Sequence, residues 1–128
     1  MKYLDELSVL NLPIEKYAIF GSGPIAIRNL RESNDVDIIV KQDLWDLLIS
    51  KYPTSLHNNP TCLKIGNIEI FKSWLTLSVG IDEMIGSAEI IEHFPFVQLR
   101  YVVEWKIKSG REKDTKDVKL IEEYNNHK

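Results

Sequence analysis

One cysteine, Cys62, stands in 128 residues, which excludes an internal disulfide and a thiolate metal cluster. It lies in an apolar strand-like run and reads as a small core residue. The three histidines, His57, His93 and His127, are too scattered to show a zinc-like spacing. No apolar run approaches the ~18–20 residues of a membrane span. The N-terminus shows no signal-peptide pattern, so the expected location is the cytoplasm. Charge of one sign is lacking too: a net charge of −3 argues against a strongly basic nucleic-acid binder, although it is compatible with a local basic patch. Repeats, low-complexity tracts and linkers are absent.

With 44% hydrophobic residues, the chain can bury the core of one domain, 1–128, and is too short for a second sizeable one. Leu4, Leu7 and Leu10 mark a helix over 3–12, ended by Pro13. Tyr17 to Phe20 reads as a buried strand broken by Gly21-Ser22-Gly23, and Pro24 suits the start of a helix to about Leu30. Asp35 to Lys41 is the second strand, and Asp43 caps a helix to about Lys51 whose buried stripe is Leu44, Leu47 and Leu48. Two strands around Gly66-Asn67, 61–65 and 68–71, form a hairpin. A short helix over 82–88 and a short strand at Ile90-Ile91 follow. Helices over 99–109 and 112–125 close the chain, with Gly110 between them. Interleaved helices and strands with an embedded hairpin predict an α+β (mixed α/β) domain: a small mixed sheet flanked by helices, with a C-terminal helical pair.

The chemistry-bearing stretch is Gly21-Ser22 followed by Asp35-Val36-Asp37 at the head of an apolar strand. Residues i and i+2 of a strand share a face, so both aspartates can converge on one metal ion. Magnesium takes carboxylate and phosphate oxygens together, and such ions clamp in-line phosphoryl transfer. Gly21 to Ala26 also matches G-x-G-x-x-A, a dinucleotide fingerprint. That reading needs an acid at the end of the second strand, whereas here the acids come earlier, at its start.

Phe20-Gly21-Ser22 with Asp35-Val36-Asp37 resembles the signature of the polymerase-beta-like nucleotidyltransferase superfamily. Arg31-Glu32-Ser33-Asn34-Asp35 resembles the lead-in of small prokaryotic members, including abortive-infection-type toxins, and 105–117 resembles their Lys…Arg-x-Lys-Asp-x-x-Asp block. The resemblance implies a nucleotidyltransferase-like fold and a magnesium- (or manganese-) dependent enzyme moving a nucleoside monophosphate from a nucleoside triphosphate to a hydroxyl. The acceptor would be an RNA end, a protein or a small molecule, and family analogy extends to a toxin–antitoxin role. It assigns metal binding and catalysis to Asp35 and Asp37, with Glu69 of the neighbouring strand as a third carboxylate. Gly21 and Ser22, aided by the following helix N-terminus, together with Arg31, Lys106 and Asp114, would receive the nucleotide.

Blander readings stand beside these. Glu69 can be a solvent-facing strand residue, Asp37 an exposed strand-head residue, and Ser22 a turn residue. Arg28 and Arg31 can be ordinary surface arginines. Lys106, Arg111 and Lys113 can bind phosphate or equally form a solvated face, with Lys113 and Asp117 a weak i,i+4 pair. Trp45, Trp74 and Trp105 read as core or rim aromatics. A second class of function keeps the fold without catalysis, as a nucleotide- or partner-binding module. A homodimer or a partner subunit would then complete the cleft.

Overall fold

Two apolar, β-branched runs make the centre of the molecule. In the computed structural model, which describes residues 1–58, 60–74 and 77–127, β1 (Tyr17–Ile19) pairs antiparallel with β2 (Val36–Val40). Other strands are β3 (Leu56–His57), β4 (Cys62–Ile65), β5 (Ile68–Phe71), β6 (Glu89–Ile91) and β7 (Phe94–Phe96). Among the described residues they form one seven-stranded sheet in the order β3-β4-β5-β2-β1-β7-β6. It is mixed: β2 runs parallel to β5 and β1 parallel to β7, whereas the β3–β4, β4–β5 and β6–β7 pairs are antiparallel.

Helices cover both faces, which explains why β1 and β2 are buried almost throughout. On one face Tyr17, Ile19, Val36, Ile38, Val40, Ile68 and Ile70 pack against α1 (Leu4–Val9) and α3 (Gln42–Lys51). On the other, Ala18, Phe20 and Ile39 meet α2 (Gly23–Ala26), α4 (Ile81–Gly86), α5 (Leu99–Ser109) and α6 (Glu112–Asn126). The domain is therefore α+β. The strand period of two decides the site: with Val36 and Ile38 on the first face, Asp37 falls on the second, among α5 and α6. None of the described helices is long and apolar enough to cross a membrane.

The expected hairpin, the mixed sheet and the C-terminal helical pair are present, and Cys62 is buried as expected. Gly110 closes α5 at φ 66°, its N–H donating to the Lys106 carbonyl. Other expectations need correction. The helix after Gly21-Ser22 is one turn, not a run to Leu30, because Asn29 takes φ 60°. The α3 stripe contains Trp45 in place of Leu47, which is 61% exposed. Asp43 does not cap α3, since Lys41 holds that position; its carboxylate accepts from the Leu44 N–H and pairs with Lys16. The Gly66-Asn67 turn is clasped from α1: the Asn67 backbone N–H and side-chain amide donate to Glu6 at 3.1 and 2.8 Å.

Candidate active site

The sheet register assembles the carboxylates. Asp37 of β2 lies directly beside Glu69 of β5 in the parallel pair, so both side chains leave the same face. Asp35 stands one residue before β2, its carbonyl accepting a 2.5 Å hydrogen bond from Ser33 Oγ. One carboxylate oxygen from each of Asp35, Asp37 and Glu69 lies within 4.8 Å of the others. Glu69 thus joins the cluster, with Lys64 of β4 at 3.4 Å.

Crowding three acids shifts their titration. Burial first, then the hydrogen bond with Glu69 and the charges of Asp35 and Glu69, push Asp37 up to about 8. Burial and the Glu69 charge raise Asp35 as well. For Glu69 burial acts upward, but hydrogen bonds with Asp37, Asp35 and Lys64 outweigh it, so its carboxyl is lowered. Asp37 Oδ1 is buried and has no hydrogen-bond partner among the described residues. An all-oxygen donor set with an orphaned buried oxygen fits a hard divalent cation such as magnesium or manganese.

The Gly21-Ser22 turn rests against this cluster. Gly21 has φ 58°, and a Cβ there would stand 2.5 Å from Asp37 Oδ2, so the backbone approaches the carboxylate as only glycine permits. Ser22 Oγ accepts from Arg31 Nη2 at 2.6 Å. Since α2 is a single turn, a helix dipole adds little at this place.

Behind the turn runs a continuous chain of charges. Arg31 Nε and Nη2 grip Asp117 of α6 at 2.6 and 2.7 Å. Lys106 Nζ sits 2.9 Å from Asp117 and 3.3 Å from Asp114. Arg111 closes the chain with bonds of 2.7 and 3.3 Å to Asp114. Burial opposes the charge of Asp114, yet hydrogen bonds from Arg111 and Ser109 and the nearby Lys106 bring its carboxyl down to about 2. Lys106 is therefore a buried cation and not part of a solvated face, while Asp114, at 0% exposure, pairs with Lys106 and Arg111. Asp117 serves Arg31 and Lys106 in place of the expected i,i+4 pair with Lys113. Its role was the hardest to foresee, although its place three residues after Asp114, on the same helix face, was a usable signal.

Between the carboxylates and α6 opens a cleft of about 640 Å³. Ser22, Asp35, Asp37, Lys113 and Lys116 line it, with Trp74 and Trp105 on one wall. Those indoles meet edge-to-face at 5.1 Å, and Phe20 stacks on Trp74 at 4.8 Å, so they form a packed rim. Comparison with protein-family models, with curated proteins and with solved structures finds no match to the chain.

Proposed function

We propose that the chain is a divalent-metal-dependent nucleotidyltransferase moving a nucleoside monophosphate from a triphosphate to a hydroxyl acceptor. The observation that carries it is the convergence of Asp35, Asp37 and Glu69, two of which line a cleft together with Lys113 and Lys116. Asp35 and Asp37, with Glu69, would hold the cation, a reading that the unpartnered buried Asp37 Oδ1 supports. Magnesium, when bound, neutralises charge on the transferring phosphoryl group. The Gly21-Ser22 turn lies next to Asp37, where it meets the phosphates. Arg31 fixes Ser22, and the Lys106–Asp114–Asp117 chain fixes Arg31 and the approach of α6 to the turn.

The acceptor oxygen forms a bond to the α-phosphorus as the bond to the bridging oxygen breaks. Pyrophosphate departs in line, and the hydroxyl proton passes to the carboxylate cluster. Positioning and charge neutralisation supply most of the acceleration.

Calorimetric titration of the four ribonucleoside triphosphates, with and without magnesium, into wild type and Asp37→Asn tests this. Magnesium-dependent binding that the variant loses is the expected result, and binding indifferent to both would refute it. One observation favours a second reading, a nucleotide-binding module without transfer. Arg31 and Lys106 are already neutralised by Asp117 and Asp114 and offer little charge to a transition state. Incubation with α-labelled triphosphate and RNA, protein or small hydroxyl acceptors separates the two, because only the enzyme leaves label on an acceptor.

A further inference from the structure

Five cationic side chains line the cleft, and their partners sort them. Arg31 has Nε and Nη2 on Asp117, Nη2 also on Ser22, and Nη1 on the Glu32 carbonyl at 2.8 Å. Lys106 has a side chain only 2% exposed between two aspartates. Arg111 is more open but carries two bonds to Asp114. These three cations face two carboxylates, so each is already ion-paired where it lines the cleft.

Lys113 and Lys116 differ. Both are exposed, both line the cleft, and neither makes a hydrogen bond or ion pair with another described residue. Three positions apart on α6, they stand on one side of the helix, with Leu120 continuing the same lining one turn on. Lys113 lies near enough for its charge to act on the Asp35 carboxylate across the cleft. It also occupies the first turn of a 15-residue helix, where the positive end of the helix adds to its own charge.

We propose that Lys113 and Lys116 receive the terminal phosphates of the nucleoside triphosphate and set the preference for triphosphate over monophosphate. This rests on the nucleotidyl-transfer reading and deepens it: Arg31 and Lys106 build the wall, and the two lysines touch the ligand. An ammonium with no internal partner binds a phosphate oxygen without first breaking an ion pair, which Arg31 and Lys106 would have to do. The carboxylates would then lie toward the α-phosphate, and the lysines toward the pyrophosphate that leaves.

The test compares wild type with the double variant Lys113→Gln/Lys116→Gln in calorimetric titrations. Probes are the best-bound nucleoside triphosphate with magnesium, its monophosphate with magnesium, and inorganic tripolyphosphate without magnesium. The double variant is expected to lose about tenfold or more in triphosphate affinity, with the monophosphate changed less than about twofold. Its melting temperature should match wild type, since both side chains are exposed and unpaired. Lys113→Arg/Lys116→Arg, which keeps the charge, should retain most of the affinity. Unchanged triphosphate affinity would overturn the inference and point the lysines toward an acceptor's phosphodiester. Equal loss of mono- and triphosphate would overturn it too. If wild type binds tripolyphosphate through these lysines but no magnesium nucleotide, the transfer reading falls and the lysine site stands. If wild type binds neither, both fall.

Discussion

Asp37 concentrates the tension of the site in one side chain. Its carboxyl is pushed from 3.8 up to about 8, so between those values the folded protein keeps a proton that the unfolded chain gives up. The contribution to stability is complete below the unfolded value and is lost as pH rises through the folded one. Asp37→Asn removes that burden, and metal-free melts should show the variant gaining on wild type as pH goes from 5 to 8. On the proposed metal role, magnesium is expected to raise the melting temperature of wild type and to leave this variant unchanged. Stabilisation of metal-free protein at pH 8 with an equal response to magnesium in variant and wild type would remove Asp37 from the proposed metal site. Gly21 is the second sensitive residue. Gly21→Ala forces a Cβ into the left-handed region and onto Asp37 Oδ2, with an expected cost of about 1–3 kcal/mol in urea denaturation and a weaker magnesium response. Asp35, Asp37, Gly21 and Ser22 were legible in the sequence because strand alternation and a glycine turn are local rules. Burial of Lys106 was not, since it depends on α6 delivering two aspartates to one amine.

Among the elements, the α5–α6 pair carries the clearest electrostatic dependence. Asp114 is brought down to about 2 and Asp117 is lowered as well, burial opposing both and the Arg111, Arg31 and Lys106 interactions prevailing. Depressed carboxyls contribute stability that is present above their unfolded value of 3.8 and lost as pH falls toward 2. Helical circular dichroism between pH 5 and 2 should show this loss, and Asp114→Asn should flatten it. Asp117→Ala leaves Arg31 and Lys106 short of a carboxylate at a buried position. An expected cost of about 3–5 kcal/mol follows, read from urea midpoints, with little relief from added salt. Long or strongly patterned elements were readable: α3, α5, α6 and the β4–β5 hairpin. Others were not. β3 is two exposed residues without a pattern, and β7 carries Pro95, tolerated because its pairing with β1 rests on Phe96 alone. In both cases a partner strand distant in sequence decides the structure.

For the molecule as a whole, the sheet separates two cores, and only one lies beneath the cleft. Ile38 belongs to the core shared with α1 and α3, and Ile39 to the core of Phe20, Trp105 and Ile121. Either residue changed to alanine should cost about 2–5 kcal/mol, as fully buried isoleucines do. Ile39→Ala alone should also weaken magnesium–nucleotide binding in the same calorimetric assay, because it loosens the wall bearing Trp105. Equal binding in both variants would show that the site is insulated from its core. The α1 clasp on the Gly66-Asn67 turn has a consequence of another kind. A slip of β5 by one residue would turn Glu69 into the apolar layer and swing Ile68 or Ile70 into its place beside Asp37. No half-slipped arrangement exists, so the third carboxylate is either present or replaced by hydrocarbon. By pinning that turn, Glu6 in the first turn of α1 guards the register that keeps Glu69 beside Asp37.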